Sequence, residues 1–302
     1  METIKGPDLS IIIPTLNRYS ELKNTLHDLS RQSFINFEII IVDQSPDKTP
    51  IESDYPFRIC YYTLEELSAS AARNIGIKKA NGRILLFLDD DIIIRNTDFL
   101  ANHMRHFEDS SVPGVAGCIL ELDEVKRTTR HRWSYNARVG WLFFPRNYAF
   151  PAQIHTGGSG NLSIRRDWAI EAGGMDENYV KGAHREESDF CQRVVKRHGL
   201  LTYDPDADIV HIGSPAGGIR TWNNRSDFLK KQQHYDGAMY FLVRYFSIVD
   251  LPYHAVATIM FFFYDKRLLR RPHLIFVSFF RALKGLFRAL KLARHPRYLS
   301  YE

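Results

Sequence analysis

The chain has 302 residues, of which 44% are hydrophobic and 25% are charged, as in ordinary globular proteins. Its three cysteines are widely spaced, which argues against a disulfide framework or structural zinc and favours a reducing cytosol. The net charge of +5 combines a mildly acidic body with a basic tail, because the residues from Lys266 onward contain ten Lys and Arg and one acid.

Signals for export or for crossing a membrane are not expected. The first residues, METIKGPDLS, lack the basic and apolar regions of a secretory signal. The longest apolar stretch, Leu251 to Tyr264, has 14 residues, whereas a membrane-spanning helix needs ~18. We therefore expect a core or interfacial helix at that stretch.

Isoleucine-rich runs alternate with helical patterns along the first third of the chain. Buried strands are predicted at LSIIIP, FEIIIVD, ICYYTL and RILLFL, with helices beginning at about Ser20 and spanning Ala69 to Ala80. This alternation predicts an α/β fold with a mostly parallel sheet. Further along, we expect strands at GVAGCIL and ADIVHIG, and helices at 167–172 and around HREESDFCQRVVKRHG.

Polar residues follow three of the predicted strands. They are Thr15 and Asn17 after the first, Asp43 and Ser45 after the second, and Asp89 to Asp91 after the fourth. In open α/β sheets the ligand crevice lies at these carboxyl ends. Three consecutive carboxylates there predict a divalent-cation site for a phosphorylated ligand. The alternative is a capping or solvated acidic turn.

The segments SIIIPTLNR, EIIIVDQSPD and SAARNIGIKKANGRILLFLDDD, followed by GGSGNLSIRR and REESDF, resemble family 2 glycosyltransferases. The resemblance covers about residues 9 to 215. It implies the GT-A fold, a nucleotide-diphosphate sugar of the UDP or dTDP type as donor, and Mn²⁺ or Mg²⁺ as cofactor. We expect a GT-A domain over 1–225 and a helical, basic C-terminal region over 226–302.

The resemblance also implies roles for individual residues. The cation would be ligated by Asp91, and the ribose and donor sugar would be held by Asp89 and Asp90. Arg73 would lie near the nucleotide, and Asp43 would accept the N3–H of the base. The pocket for uridine or thymidine would be lined by Pro14, Thr15 and Asn17. Two positions depart from the family pattern: Leu16 replaces a common aromatic residue, and Gln44 a common acid.

The second acidic cluster, REESDF, supplies candidates for the catalytic base. An inverting transfer needs a carboxylate to take the proton from the acceptor hydroxyl. The family pattern places this base at Glu187, where Asp is usual, with Glu186 and Asp189 as alternatives. The other interpretation is a helix start in which acids favour the helix dipole.

His211 follows a predicted strand and precedes the glycine-containing segment GSPAGGIR. A neutral histidine there could be a further metal ligand, beside Asp91 and Asp89, or could touch the diphosphate. A histidine satisfied by the backbone is the equally weighted alternative.

The C-terminal segment FVSFFRALKGLFRALKLAR has apolar residues at helical spacing and a separate basic stripe. Phe276, Phe280, Leu283 and Phe287 belong to the apolar face. This pattern predicts a helix lying in an anionic membrane interface; packing on the domain or a dimer contact are the alternatives. Nucleic acid is not expected as a partner, because the aromatic residues do not interleave with the basic ones.

Together these features predict a metal-dependent, inverting glycosyltransferase. Its acceptor would be a glycan or lipid-linked hydroxyl, and the protein would be cytoplasmic and peripheral on the inner face of the cell membrane. A sugar nucleotidyltransferase is one alternative, although the loop PTLNR lacks its usual glycine-rich sequence. A catalytically inactive homologue that serves as a membrane-associated scaffold is another.

Overall fold

The structure is a computed structural model, which describes residues 6–51, 54–124, 126–131, 146–181, 184–214, 216–219, 231–245, 247, 249, 252 and 273–300. The expected domain boundary at 225/226 lies outside these residues. So does the apolar stretch from Leu251 to Tyr264, apart from Pro252.

The described strands form one nine-stranded sheet. They are β1 (Leu9–Thr15), β2 (Phe37–Asp43), β3 (Arg58–Thr63), β4 (Ile84–Leu88), β5 (Ile92–Ile93), β6 (Gly114–Glu121), β7 (Ala152–Ile154), β8 (Asn161–Arg165) and β9 (Leu201–His211). Their order is β3-β2-β1-β4-β8-β6-β9-β5, and β7 also pairs with β9. The sheet therefore brings the ends of β1, β2 and β4 to one edge, as the sequence predicts.

The predicted fold class is confirmed as a mixed α/β sheet with flanking helices. The first four strands in sequence pair in parallel, through β3-β2-β1-β4. β8 then runs antiparallel to both β4 and β6, and β5 and β7 run antiparallel to β9. Although β6 and β9 are parallel, these four antiparallel pairs make the second half of the sheet more antiparallel than the predicted pattern of mostly parallel strands.

Helices cover both faces of the sheet because neighbouring residues of each buried strand point to opposite sides. The helices described are α1 (Tyr19–Leu29), α2 (Ala69–Lys79), α3 (Phe99–Met104), α4 (Arg166–Glu171), α5 (Glu186–His198), α6 (Gln232–Tyr245) and α7 (His273–Leu292). Ile12 joins one core with α2 and α5, whereas Ile11 joins the other with α1 and α3. Gly76 permits close contact of α2 with β1, since a Cβ there would lie 2.3 Å from Ile12 Cγ2.

The C-terminal helix α7 packs along α6 through small residues. Ser278, Gly285 and Ala289 are buried in this contact, and Tyr235 donates a 2.8 Å hydrogen bond to Ser278. The segment after α7 returns to the sheet domain, where the amide of Leu299 donates to the Gly173 carbonyl. Among the helices that the structure describes, none combines the length and apolar character needed to cross a bilayer.

Candidate active site

The aspartate triplet lies where β1 and β4 end. Thr15, at the end of β1, donates a 2.8 Å hydrogen bond from its hydroxyl to Asp90 Oδ2. Arg18, from the loop after β1, places Nη1 3.2 Å from Asp90 Oδ1 and 3.0 Å from Asp91 Oδ2. Because all three charged side chains are nearly buried, the guanidinium offsets part of the repulsion between the two carboxylates.

Asp90 and Asp91 differ in protonation behaviour. Burial raises the pKa of Asp90 to about 7, outweighing the opposing charge of Arg18. Burial also raises the pKa of Asp91, but the nearby imidazole of His211 and the charge of Arg18 outweigh it and lower that pKa. Asp91 is therefore ionised at neutral pH, as a cation ligand must be.

Asp89, Asp91 and His211 each place one ligand atom within 4.8 Å of the others. Asp91 Oδ2 is held by Arg18 and by the amide of Ser214, at 3.0 Å each. Its other oxygen, Oδ1, is buried without a hydrogen-bond partner and lies 3.4 Å from His211 Nε2. Two carboxylates and an imidazole are a suitable set for Mn²⁺, and a buried Oδ1 that accepts no hydrogen bond fits a bound cation. The residues present thus fit the expected metal.

His211 is protonated in this arrangement. Burial lowers its pKa, but the neighbouring carboxylates of Asp91 and Glu121, together with the charge of Asp89, outweigh burial and raise the pKa to about 10. A cation entering between Asp91 and His211 must therefore replace a proton.

Arg73 of α2 connects the aspartate triplet to the second acidic cluster. Its guanidinium lies 2.9 Å from Glu186 Oε1 and 3.4 Å from Asp89 Oδ1. Ser70 also donates to Glu186, at 3.3 Å. The two clusters that the sequence singles out are therefore neighbours, joined by one guanidinium.

The three candidate bases on α5 have different surroundings. Glu186 is paired with Arg73. Glu187 is half-buried, and among the described residues no ion pair holds its carboxylate. Burial raises the pKa of Glu187 and outweighs a backbone hydrogen bond and the charges of Arg73 and Arg185, which lower it. Of the three candidates, Glu187 is thus the one whose carboxylate is held by no ion pair within the described part of the chain, and its role as the base stays a prediction.

Asp189 is not placed to act as a base. It is fully buried, with Arg193 2.8 Å from Oδ2 and Arg244 2.6 Å from Oδ1. Tyr245 donates a further 2.9 Å hydrogen bond to Oδ1. Because these groups occupy both oxygens, we withdraw Asp189 as a candidate base and assign it the task of anchoring α5 to α6.

The expected nucleotide-binding residues are only partly brought together. Pro14, Thr15, Arg73 and the aspartate triplet line one cleft, joined by Gln44, His211 and Gly218. Asp43 does not line this cleft. Its buried carboxylate accepts hydrogen bonds from Tyr19, Tyr61 and the amide of Ser45. The side chain of Asn17 is exposed, and its φ of 53° indicates a turn. The expected contacts of Asp43 and Asn17 with a base are therefore not supported.

Comparison with known proteins decides the family. A model of the family described as Glycosyl transferase family 2 matches residues 10–173, more than half of the chain. The chain belongs to this family. Over 85 residues it is 41% identical to an uncharacterized glycosyltransferase of Haemophilus influenzae, covering 28% of the chain and 29% of the relative. Over 231 residues it is 27% identical to the pre-mycofactocin glycosyltransferase of Mycobacterium tuberculosis, covering 73% and 46%. The chain thus spans less than half the length of either relative.

Solved structures share the architecture of this family 2 chain. Mannosyltransferase PcManGT from Pyrobaculum calidifontis, in complex with GDP-Man and Mn²⁺, aligns with a TM-score of 0.58 at 16% identity, over 97% of this chain and 88% of that one. S. aureus TarS 1-349 in complex with UDP-GlcNAc aligns with a TM-score of 0.56 at 16% identity, over 95% and 91%. The predicted GT-A fold is confirmed.

Two site residues of this family 2 chain were missed in the sequence. Arg18 directly follows Asn17, but nothing local shows that its guanidinium turns back toward Asp90 and Asp91. Glu121 ends β6, and only the register that pairs it with His211 in β9 reveals the two as neighbours.

Proposed function

We propose that the chain is a metal-dependent, inverting glycosyltransferase that uses a nucleotide-diphosphate sugar. The arrangement of the two acidic clusters carries this proposal: Arg73 joins Asp89, a member of the cation-ligand set with Asp91 and His211, to Glu186, which directly precedes Glu187. The solved neighbours bound to GDP-Man with Mn²⁺ or to UDP-GlcNAc support the same class of donor. The proposed GT-A domain spans 1–225, followed by a helical region over 226–302.

In this proposal the cleft binds the donor with its diphosphate toward the aspartates. Pro14, Thr15 and Gln44 line the nucleoside side, and Asp90 holds the ribose. Asp89, Asp91 and His211 would hold Mn²⁺ or Mg²⁺, which neutralises the diphosphate leaving group. Arg73 adds positive charge beside the same group.

Glu187 takes the proton as the acceptor hydroxyl attacks the anomeric carbon. A bond forms from the acceptor oxygen to that carbon while the bond from the carbon to the diphosphate oxygen breaks. Since attack and departure occur on opposite faces, one displacement inverts the anomeric configuration. The acceptor class proposed is a glycan or lipid-linked hydroxyl.

Product analysis with and without Mn²⁺ tests this function. A transferase, incubated with nucleotide sugars of several bases, releases nucleoside diphosphate and gains thermal stability from diphosphates only when the metal is present. Pyrophosphate formed from a sugar phosphate and a nucleoside triphosphate would instead identify a nucleotidyltransferase. Neither product, and no stabilisation by any diphosphate, would identify the inactive scaffold.

Helix α7 supports a proposed position at the inner face of the cell membrane. Its small residues face α6, and its large apolar residues point outward: Phe276, Phe280 and Phe287 are 67%, 65% and 66% exposed. Lys284 and Lys291 are exposed beside this apolar face. An outward apolar face flanked by lysines is suited to an anionic lipid interface.

We expect the double substitution Phe280→Ser and Phe287→Ser to weaken binding to vesicles rich in anionic phospholipid by at least about 10-fold, because each buried Phe contributes about 1.5–3 kcal/mol. Co-sedimentation measures this loss. Ile35→Ser is the control, since Ile35 is 81% exposed elsewhere. Unchanged binding of the double variant would contradict the membrane proposal.

A further inference from the structure

His211 is held by carboxylates on both sides of its ring. Nε2 lies 3.4 Å from Asp91 Oδ1, within the group that fits a cation. Nδ1 lies 3.2 Å from Glu121 Oε2. A histidine that ligates a metal must present a lone pair on one nitrogen, so its proton must sit on the other. The group that accepts this proton fixes both the tautomer and the ring orientation.

The sheet fixes the position of Glu121 relative to His211. The two residues are register partners at the ends of the parallel strands β6 and β9. Glu121 itself is oriented by its surroundings: Arg146 lies 3.4 Å from Oε1, and the Glu121 amide donates to Glu124 at 3.1 Å. Oε2 is therefore directed to the imidazole while Oε1 faces the guanidinium.

We infer that Glu121 is a positioning residue for the metal site. It accepts the Nδ1–H of His211 and so directs the Nε2 lone pair toward the cation held by Asp89 and Asp91. Glu121 does not touch the cation or the donor. The inference rests on the proposed metal dependence and adds a residue that neither sequence motif contains.

Arg18 and the Ser214 amide perform the corresponding task for Asp91. They occupy Oδ2, which leaves Oδ1 as the ligand oxygen. Asp91 and His211 thus each have one polar atom held by a neighbouring protein group and one directed toward the cation site. The side chain of Glu121 is 47% exposed. It still affects the cation, because it fixes the rotation of the buried His211 ring.

The test is Mn²⁺ affinity of the purified full chain, measured by electron paramagnetic resonance with MnCl₂ alone. We expect Glu121→Ala to weaken Mn²⁺ binding by about 10-fold or more, the lower end of the effect of removing such a partner. Glu121→Gln should recover part of the affinity, because its amide oxygen can still accept the Nδ1–H. Asp123→Ala is the matched control, because it removes a carboxylate two residues from Glu121 whose side chain is exposed.

Pulsed electron paramagnetic resonance measures the coupling of bound Mn²⁺ to the imidazole ¹⁴N. This coupling distinguishes a change in the position of the His211 ring from general disruption of the site. The imidazole coupling should be present in the wild type, altered in Glu121→Ala and absent in His211→Ala. In the His211→Ala background, Glu121→Ala should change Mn²⁺ affinity no further. Unchanged affinity and coupling in Glu121→Ala, with a wild type that binds Mn²⁺, would overturn this inference alone. A wild type that binds no Mn²⁺ would overturn the proposed metal dependence as well.

Discussion

Replacing Glu187 with glutamine is expected to remove turnover while leaving Mn²⁺ and nucleotide binding intact. Glutamine preserves the volume of the side chain but cannot accept the acceptor's proton. Loss of a positioned general base costs about 10²–10⁴-fold in rate. The measurements are kcat for transfer from a nucleotide sugar and the thermal stabilisation by nucleoside diphosphate with Mn²⁺.

The neighbouring acids make the assignment of Glu187 falsifiable. Glu186→Gln breaks the ion pair with Arg73, so we expect weakened donor binding together with a partial loss of rate. If Glu187→Gln keeps full activity and Glu186→Gln loses it, Glu186 is the base and the assignment is wrong.

Much of the fold follows from residues close together in sequence. Alternating apolar runs and helical patterns predict β1, α1, β2, α2 and β4 within a few residues of their observed bounds. Because parallel neighbours in register end together, Thr15 pairs with Asp43, and the polar strand ends meet as predicted. The location of the site is therefore accessible from local pattern and the geometry of a parallel sheet.

The partners of each side chain are less predictable, because they depend on which face of an element meets which neighbour. Glu186, Glu187 and Asp189 all lie in the first turn of α5, and spacing alone does not tell which of them faces the cleft. Packing decides which acid faces the cleft. Asp189 instead contacts Arg244 of α6, which lies 55 residues later in the chain. Asp43 similarly binds two tyrosines instead of facing the cleft.

The amphipathic pattern of α7 shows the same limit. The sequence separates an apolar stripe from a basic one, and an apolar stripe is ordinarily the face that packs on a protein. In the structure Ser278, Gly285 and Ala289 form the packed face instead, and the Phe residues point outward. Small residues permit close helix approach, but the sequence does not indicate that α6 is their partner.

Replacing Asp91 with alanine is expected to abolish metal-dependent nucleotide binding. Asp91 supplies a buried oxygen, Oδ1, to the cation-ligand set, so its loss removes a ligand. Removing a hydrogen-bond partner of a metal ligand typically costs 10–100-fold in metal affinity. We therefore expect that removing the ligand itself lowers Mn²⁺ affinity by at least about 100-fold. The measurements are Mn²⁺ affinity and the stabilisation by nucleoside diphosphate with and without Mn²⁺.

Asp90→Asn is the matched control for Asp91→Ala. Asp90 is adjacent and shares Arg18 with Asp91, yet it lies outside the cation-ligand group and is assigned to the ribose. We expect this variant to bind Mn²⁺ and to lose affinity for nucleotide, whereas Asp91→Ala loses both. If Mn²⁺-dependent stabilisation survives in Asp91→Ala but disappears in Asp90→Asn, the roles assigned to Asp91 as cation ligand and to Asp90 as ribose contact are reversed. In that case Asp90 would ligate the cation and Asp91 would hold the ribose, with the guanidinium of Arg18 in contact with both carboxylates.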